Sequence, residues 1–198
     1  FEDKPKMEKF DLHIHSNMSD GTFDPEAIPA LAKAQAQGVC YMALTDHDTA
    51  AGCKRAIAAG QSIGVKVIPG IELDVEFPTE LHMLGLNINP DSPAMVKFEA
   101  WRGGSRRQRN RAILDKLSAF GIPAEEYMEH SRGNDTRLHI AKAIIAAGYA
   151  DTMPEAFEKY LNPGCPGFVP GVRPSKKEAI ELILESGGRP VLAHPCKI

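Results

Sequence analysis

Strand-like and helix-like segments alternate along this sequence, which predicts an α/β fold built on a parallel sheet or barrel. Two runs carry that expectation. Val39-Cys40-Tyr41-Met42-Ala43-Leu44 is continuously apolar, as expected of a parallel strand covered on both faces, and it stops abruptly in Thr45-Asp46-His47-Asp48-Thr49. Lys66-Val67-Ile68-Pro69 reads as another strand and ends in Gly70-Ile71-Glu72. In folds of this class ligands bind at the carboxyl ends of the strands, where these polar residues fall.

In chain order, Lys9-Phe10-Asp11-Leu12-His13-Ile14-His15 reads as the first strand, followed by a turn-rich loop, Ser16-Asn17-Met18-Ser19-Asp20-Gly21. Asp24-Pro25-Glu26 starts a helix, with Asp24 as cap and Pro25 at the first helical position, and Gly38 ends it. After the strand at Val39–Leu44, a helix over about Ala50–Ile63 leads through Gly64 to the third strand. Glu80-Leu81-His82-Met83-Leu84-Gly85-Leu86 is a fourth, with His82 inside it. From Ser92 to Phe168 the rhythm changes. Met95–Gly121 reads as one or two arginine-rich helices, and Leu138–Gly148 and Pro154–Leu161 as further helices. A Gly/Pro-rich return at Gly164–Gly171 precedes a helix capped by Ser175, with Glu178 completing a capping box. Arg189-Pro190-Val191-Leu192-Ala193-His194-Pro195 is a last strand. The expected organisation is a barrel part over residues 1–91, a helical insertion over 92–168 that covers the rim, and a barrel continuation over 169–198.

Composition excludes several classes. A net charge of −3 gives no global attraction to nucleic acid or to an anionic membrane. No apolar run approaches the roughly 20 residues that span a bilayer. The opening Phe1-Glu2-Asp3-Lys4-Pro5-Lys6 lacks the apolar core of a signal peptide. The cysteines, Cys40, Cys53, Cys165 and Cys196, form no Cys-x-x-Cys pair, which argues against a structural zinc site and a disulfide scaffold and for a reducing cytoplasm.

The histidines are more informative. His13 and His15, two apart on an extended segment, point to the same side and can close on one ion. With Asp20, His47, Glu72, His82 and His194 they make seven N/O donors and no thiolate, a mixture suited to Mn²⁺, Zn²⁺ or Fe²⁺. Seven donors are too many for one ion, so two or three divalent ions are expected, Mn²⁺ first, with Glu72 as the bridging carboxylate. Paired ions about 3.5–4 Å apart clamp the attacking and leaving oxygens of a displacement and lower the pKa of a bound water. Hydrolysis of a phosphate ester by a metal-bound hydroxide is the reaction class that fits, with His47 or Asp48 assisting proton transfer.

Taken in order, Asp11-Leu12-His13-Ile14-His15, Ser19-Asp20-Gly21, Thr45-Asp46-His47-Asp48-Thr49, Gly70-Ile71-Glu72 and Ala193-His194-Pro195 resemble the polymerase and histidinol phosphatase (PHP) family. That resemblance implies a distorted (β/α)7 barrel with a metal cluster, often trinuclear, at the carboxyl ends of the strands. The helical insertion, Arg137-Leu138-His139-Ile140-Ala141 and Gly188–Pro195 resemble the branch acting on nucleoside 3′,5′-bisphosphates and on the 5′ ends of short RNA. There, arginines of the insertion and one histidine grip the phosphate that is not cleaved; the matching positions are Arg106, Arg109 and His139. Arg106 and Arg109 lie three apart and can share a helix face. The family also closes its site with a later Asp-x-His pair, which this chain, ending at Ile198, does not contain. The resemblance therefore implies that further C-terminal strands belong to the fold. The expected substrate is a small nucleotide or short oligonucleotide, with no role for membrane or long duplex. Two alternatives stand beside it: a histidinol-phosphatase-like enzyme acting on another small phosphomonoester, and a non-catalytic metal- or nucleotide-binding module.

Overall fold

The computed structural model describes residues 9–35 and 39–197. Its sheet has five strands in the order β1 (Lys9–Ile14), β2 (Val39–Leu44), β3 (Lys66–Val75), β4 (Leu81–Leu86) and β5 (Arg189–Leu192). Helices α1 (Ile28–Gln35) and α2 (Cys53–Ile63) make the crossovers between the first three strands, which run parallel. The wholly parallel sheet expected from the alternation stops there, because β4 is antiparallel to both β3 and β5. Only residues 76–80 join β3 to β4, too few for a helical crossover, so the chain turns back as a hairpin.

The first helix also differs from expectation at its start. It begins at Ile28, preceded by turns, because the Asp24 carboxylate is taken by Asn17 Nδ2 at 2.6 Å and Arg132 Nη1 at 2.8 Å instead of capping. Its expected end at Gly38 lies outside the described residues, as does the charged lead-in. The capping box of Ser175 and Glu178 forms as expected at the start of α6 (Lys176–Glu185).

The sheet is strongly curled. β1 and β5 are its two edges with three strands between them, and flat strands would put them nearly 20 Å apart at about 4.8 Å per step. Yet the ring of His13 on β1 stacks on that of His194, just past β5, with centroids 5.7 Å apart. Curling brings side chains from all five strands to one end of the arc.

Two apolar clusters hold the molecule together. One lies under the sheet and includes Met42, Leu44, Ile71, Leu73 and Ile183. The other lies among the helices and includes Ile113, Leu117, Ile140, Ile144 and Leu161. The 27-residue α3 (Pro93–Ala119) spans both: Met95 and Phe98 belong to the first cluster, Ile113 and Leu117 to the second. It is a single helix, capped by Ser92, and packs near α4 (Arg137–Ala146) and α5 (Met153–Ala156), which continues as a π-turn over Phe157–Leu161. Among the described residues no helix is long and apolar enough to cross a membrane.

Close packing around β3 leaves no room for a side chain at Gly70. A Cβ there would lie 2.7 Å from Thr45 Cγ2, 3.0 Å from the Leu44 carbonyl oxygen and 3.2 Å from that of Gly85. Because two of these neighbours are backbone atoms of flanking strands, Gly70→Ala is expected to cost about 1–3 kcal/mol, read from the urea midpoint at unchanged slope. An unchanged midpoint would show that the strands can spread.

Candidate metal centre and its arginine wall

The structure brings all seven expected donors to the carboxyl end of the arc, and their common neighbour is Glu72. Glu72 was expected at the end of its strand. Instead β3 runs on to Val75, and Glu72 sits in mid-strand opposite Leu84 of β4. It overhangs the end of β2, where its N–H donates to the Asp46 carbonyl at 3.1 Å and its carbonyl accepts from Asp48 N at 2.9 Å. The side chain is 1% exposed. Its Oε2 lies 3.1 Å from His13 Nε2, 3.0 Å from His15 Nε2 and 3.3 Å from His47 Nδ1. Its Oε1 lies 3.1 Å from both His82 Nδ1 and His194 Nε2. Burial alone would raise the Glu72 pKa, but the imidazoles around it hold the carboxyl far below the usual range.

Asp20 extends the cluster, with Oδ1 2.9 Å from His15 Nδ1 and Oδ2 3.5 Å from His47 Nε2. Burial opposes its ionisation, yet His15 and His47 lower its pKa to about 2. The loop that carries Asp20 is fastened by buried Asp46, a residue to which sequence reasoning gave no role. Asp46 accepts from Ser16 N at 2.7 Å, Ser16 Oγ at 2.6 Å and Ser19 Oγ at 2.7 Å. Gly21 closes the same loop so tightly that a Cβ would collide with the His15 carbonyl.

The donor chemistry fits divalent cations. Three sets place one atom per residue within 4.8 Å of each other: His13, Glu72 and His194; His15, Asp20 and His47; and His47, Glu72 and His82. Glu72 and His47 each belong to two sets, as shared ligands of neighbouring ions would. His13 Nε2 and His15 Nε2 face each other at 3.1 Å, and buried His47 Nδ1 has no hydrogen-bond partner. Lone pairs converging in this way are better satisfied by cations than by protons.

Behind the cluster stands a wall of arginines from α3. Arg102, Arg106 and Arg109 recur at helical spacing and share one face. Asp48, in a left-handed conformation (φ 52°), is fully buried and receives two of them. Arg106 Nε donates to Asp48 Oδ2 at 2.7 Å, with Nη2 also against that oxygen, and Arg102 Nη2 lies 3.0 Å away. Burial would raise the Asp48 pKa, but these two guanidiniums keep it below its ordinary value. Arg102 also lies 3.5 Å from Asp74 Oδ2 on β3. Neither Arg102 nor Asp74 was singled out from the sequence.

A cavity of about 620 Å³ opens on this centre. Asp20, His47 and His82 line it on the metal side, and Arg106, Arg109, Thr136, Arg137 and Phe157 line it elsewhere. Arg109 donates from Nε to the Val169 carbonyl at 3.0 Å, and Arg137 lies over the Phe157 ring. Of the remaining expected site residues, Asp48 and His139 do not line the cavity. His139 is buried in the capping box of α4, where its Nδ1 accepts from Thr136 N at 3.1 Å. Arg106 reaches the lining with its charge already committed to Asp48. Arg137 was missed as a site residue, although it stands at the head of the Arg-Leu-His-Ile-Ala stretch.

Residues 11–111, just over half of the chain and including six of the seven donors, match the PHP domain model. The chain belongs to the PHP family. It is 36% identical to the 5′-3′ exoribonuclease Rnm of Salmonella typhimurium over 94% of its own length and 65% of that protein. It is 34% identical to the 3′,5′-nucleoside bisphosphate phosphatase of Chromobacterium violaceum over 96% of its length and 67% of that protein. A solved structure described as an amidohydrolase from Chromobacterium violaceum, with bound sulfate and no metal, superposes with a TM-score of 0.85 at 33% identity, covering 95% of this chain and 67% of that one. The chain thus spans about two thirds of the length of these PHP relatives.

Two outcomes test this geometry. Asp48→Asn keeps a residue tolerant of the left-handed backbone but leaves Arg106 buried without its counter-charge and Arg102 with only Asp74 at 3.5 Å. It is expected to cost about 3–5 kcal/mol in urea unfolding; a cost under about 1 kcal/mol would mean that water compensates the arginines. The second outcome concerns protons. Burial disfavours charged His15, but hydrogen bonds to Asp20 and Glu72 outweigh it and raise its pKa to about 10. In the metal-free chain protonated His15 therefore stabilises fully below the ordinary imidazole value of about 6.5, and that contribution is lost as pH rises through about 10. Mn²⁺ competes for the same nitrogens, so binding near neutral pH is expected to release protons and to tighten as pH rises. Calorimetry in buffers of different ionisation enthalpy measures that release, and identical heats in all buffers would contradict it.

Proposed function

We propose that this chain carries the site of a metal-dependent phosphoesterase that removes a phosphate from a nucleoside 3′,5′-bisphosphate, and that it also acts on the 5′ ends of short RNA. The observation that carries this reading is the single cavity with the histidine–carboxylate cluster on one side and Arg109 and Arg137 on another. A substrate with two phosphates suits such a site, one phosphate at each place. The names of the two PHP relatives, a nucleoside bisphosphate phosphatase and an exoribonuclease, agree with it.

In this reading His13, His15, Asp20, His47, Glu72, His82 and His194 hold two or three divalent ions, with Glu72 shared between them. Mn²⁺ is our first expectation, ahead of Zn²⁺ and Fe²⁺, because every donor is nitrogen or oxygen. Such ions would supply an activated water and neutralise charge on the phosphoryl oxygens. His47, which lines the cavity, is placed to move a proton at the cleaved ester. Asp48 is a positioning residue, holding Arg106 and, through its backbone, Glu72. Arg109 and Arg137 fork onto the phosphate that stays, with Arg106 adding positive potential from behind. His139 fixes Thr136 at the cavity wall. We read the five-stranded arc as part of a distorted (β/α)7 barrel, with the helices of residues 92–168 as an insertion over its rim.

The test is phosphate release from adenosine 3′,5′-bisphosphate with Mn²⁺. Arg109→Ala is expected to raise KM about 10-fold or more with a smaller effect on kcat, as loss of a charge-assisted contact to the retained phosphate. Glu72→Gln is expected to reduce turnover to background. Activity confined to histidinol phosphate would move the chain to the sister phosphatase. Bound metal with no turnover of any phosphomonoester would favour a binding module.

A further inference from the structure

A second cavity of about 410 Å³ adjoins the first. The two share Glu80, Arg109, Arg137 and Asn162, but the second contains none of the metal-donor residues. It therefore extends from the arginine side, away from the reacting centre. The charged residues it adds are Arg173, just before α6, and Glu76.

The charges around this cavity do not balance. Arg173 Nε lies 2.9 Å from Asp74 Oδ1, but without hydrogen-bond geometry, and that nitrogen is buried with no partner. Asp74 is shared, since Arg102 lies 3.5 Å from its other oxygen. Neither Arg109 nor Arg137 forms an ion pair among the described residues. Both are positioned without acids: Arg109 by the Val169 carbonyl and by packing on Gly171, where a Cβ would lie 3.1 Å from Nη1, and Arg137 by the Phe157 ring at 5.4 Å. Burial, and then the charges of Arg137 and Arg173, lower the Arg109 pKa to about 10, with Asp74 opposing them only in part. The acids that do line the cavity, Glu76 and Glu80, are exposed.

We propose that Arg137 and Arg173 form a second anion subsite, continuous with the one at Arg109, which takes the terminal phosphate of a nucleotide 5′-diphosphate. The inference rests on the reading that Arg109 and Arg137 hold the retained phosphate. An extension of that phosphate away from the metal centre then enters the second cavity. Planar guanidinium forks suit two adjacent phosphate groups, and their fixed positions lower the ordering cost of binding.

The test is calorimetric titration of adenosine 5′-monophosphate and 5′-diphosphate into the metal-free chain with excess chelator, so that only the protein's own groups bind. The diphosphate is expected to bind about 10-fold more tightly, as one added charge-assisted contact provides. Arg173→Ala is expected to bring the ratio near one, and Arg173→Lys, a point charge in place of a fork, to leave it between the two. Circular dichroism checks folding, and the Lys variant decides the matter if the Ala variant does not fold. Equal affinity for both nucleotides in the wild type, or a preference that survives Arg173→Ala, would overturn the subsite. Hydrolysis of adenosine 3′,5′-bisphosphate is a separate readout: its absence beside an intact diphosphate preference overturns the phosphatase reading and leaves the subsite standing.

Discussion

One buried carboxylate facing five imidazoles sets the terms for the rest of the molecule. Glu72 cannot be placed there cheaply, because a buried anion needs compensation and an imidazole cluster needs something to converge on. The fold meets both needs by curling its sheet until the two edges approach, so that His13 and His194 stack across the open end. β3 is the strand that makes this work. It pairs in parallel with β2 and antiparallel with β4, and it carries Glu72 beyond the end of β2 into the space that the curl encloses.

The same strand ties the metal centre to the arginine wall. Glu72 and Asp74 point to one face of β3, while Ile71, Leu73 and Val75 enter the apolar core on the other. Asp74 and Asp48 then receive Arg102, Arg106 and Arg173. Because α3 is anchored in both apolar clusters, its arginines are held at a fixed height over the rim. Three arginines against two carboxylates, with Arg109 and Arg137 in addition, leave the cavity wall positive. An anion entering the cavity would meet a pre-arranged field there.

Much of this was legible in the chain. The apolar run at Val39–Leu44 and the polar cluster after it marked both a buried strand and its donor-bearing end, and the histidine spacing at His13 and His15 gave the first corner of the centre. The run Ile71-Glu72-Leu73-Asp74-Val75 alternates with strand periodicity, and that signal was available to show that β3 continues past Glu72 and that Asp74 shares its face. The short 76–80 connection likewise forbade a parallel crossover. Less could be read for the arginines. Arg102–Arg111 has the composition of a solvated basic helix, and only the folded structure shows that Arg102 and Arg106 are buried against an acid more than 50 residues away in sequence. Asp46 and Arg173 belong to the same class, since their partners are set by tertiary contact and no local pattern announces them.

The central claim is that Glu72 joins neighbouring ions into one cluster. Low-temperature electron paramagnetic resonance of the chain loaded with Mn²⁺ tests it directly, because ions sharing a carboxylate are magnetically coupled. A broad, exchange-coupled signal with at least two Mn²⁺ per chain is the result that this account requires. A simple six-line spectrum from one isolated ion per chain, unchanged at saturating Mn²⁺, would contradict it.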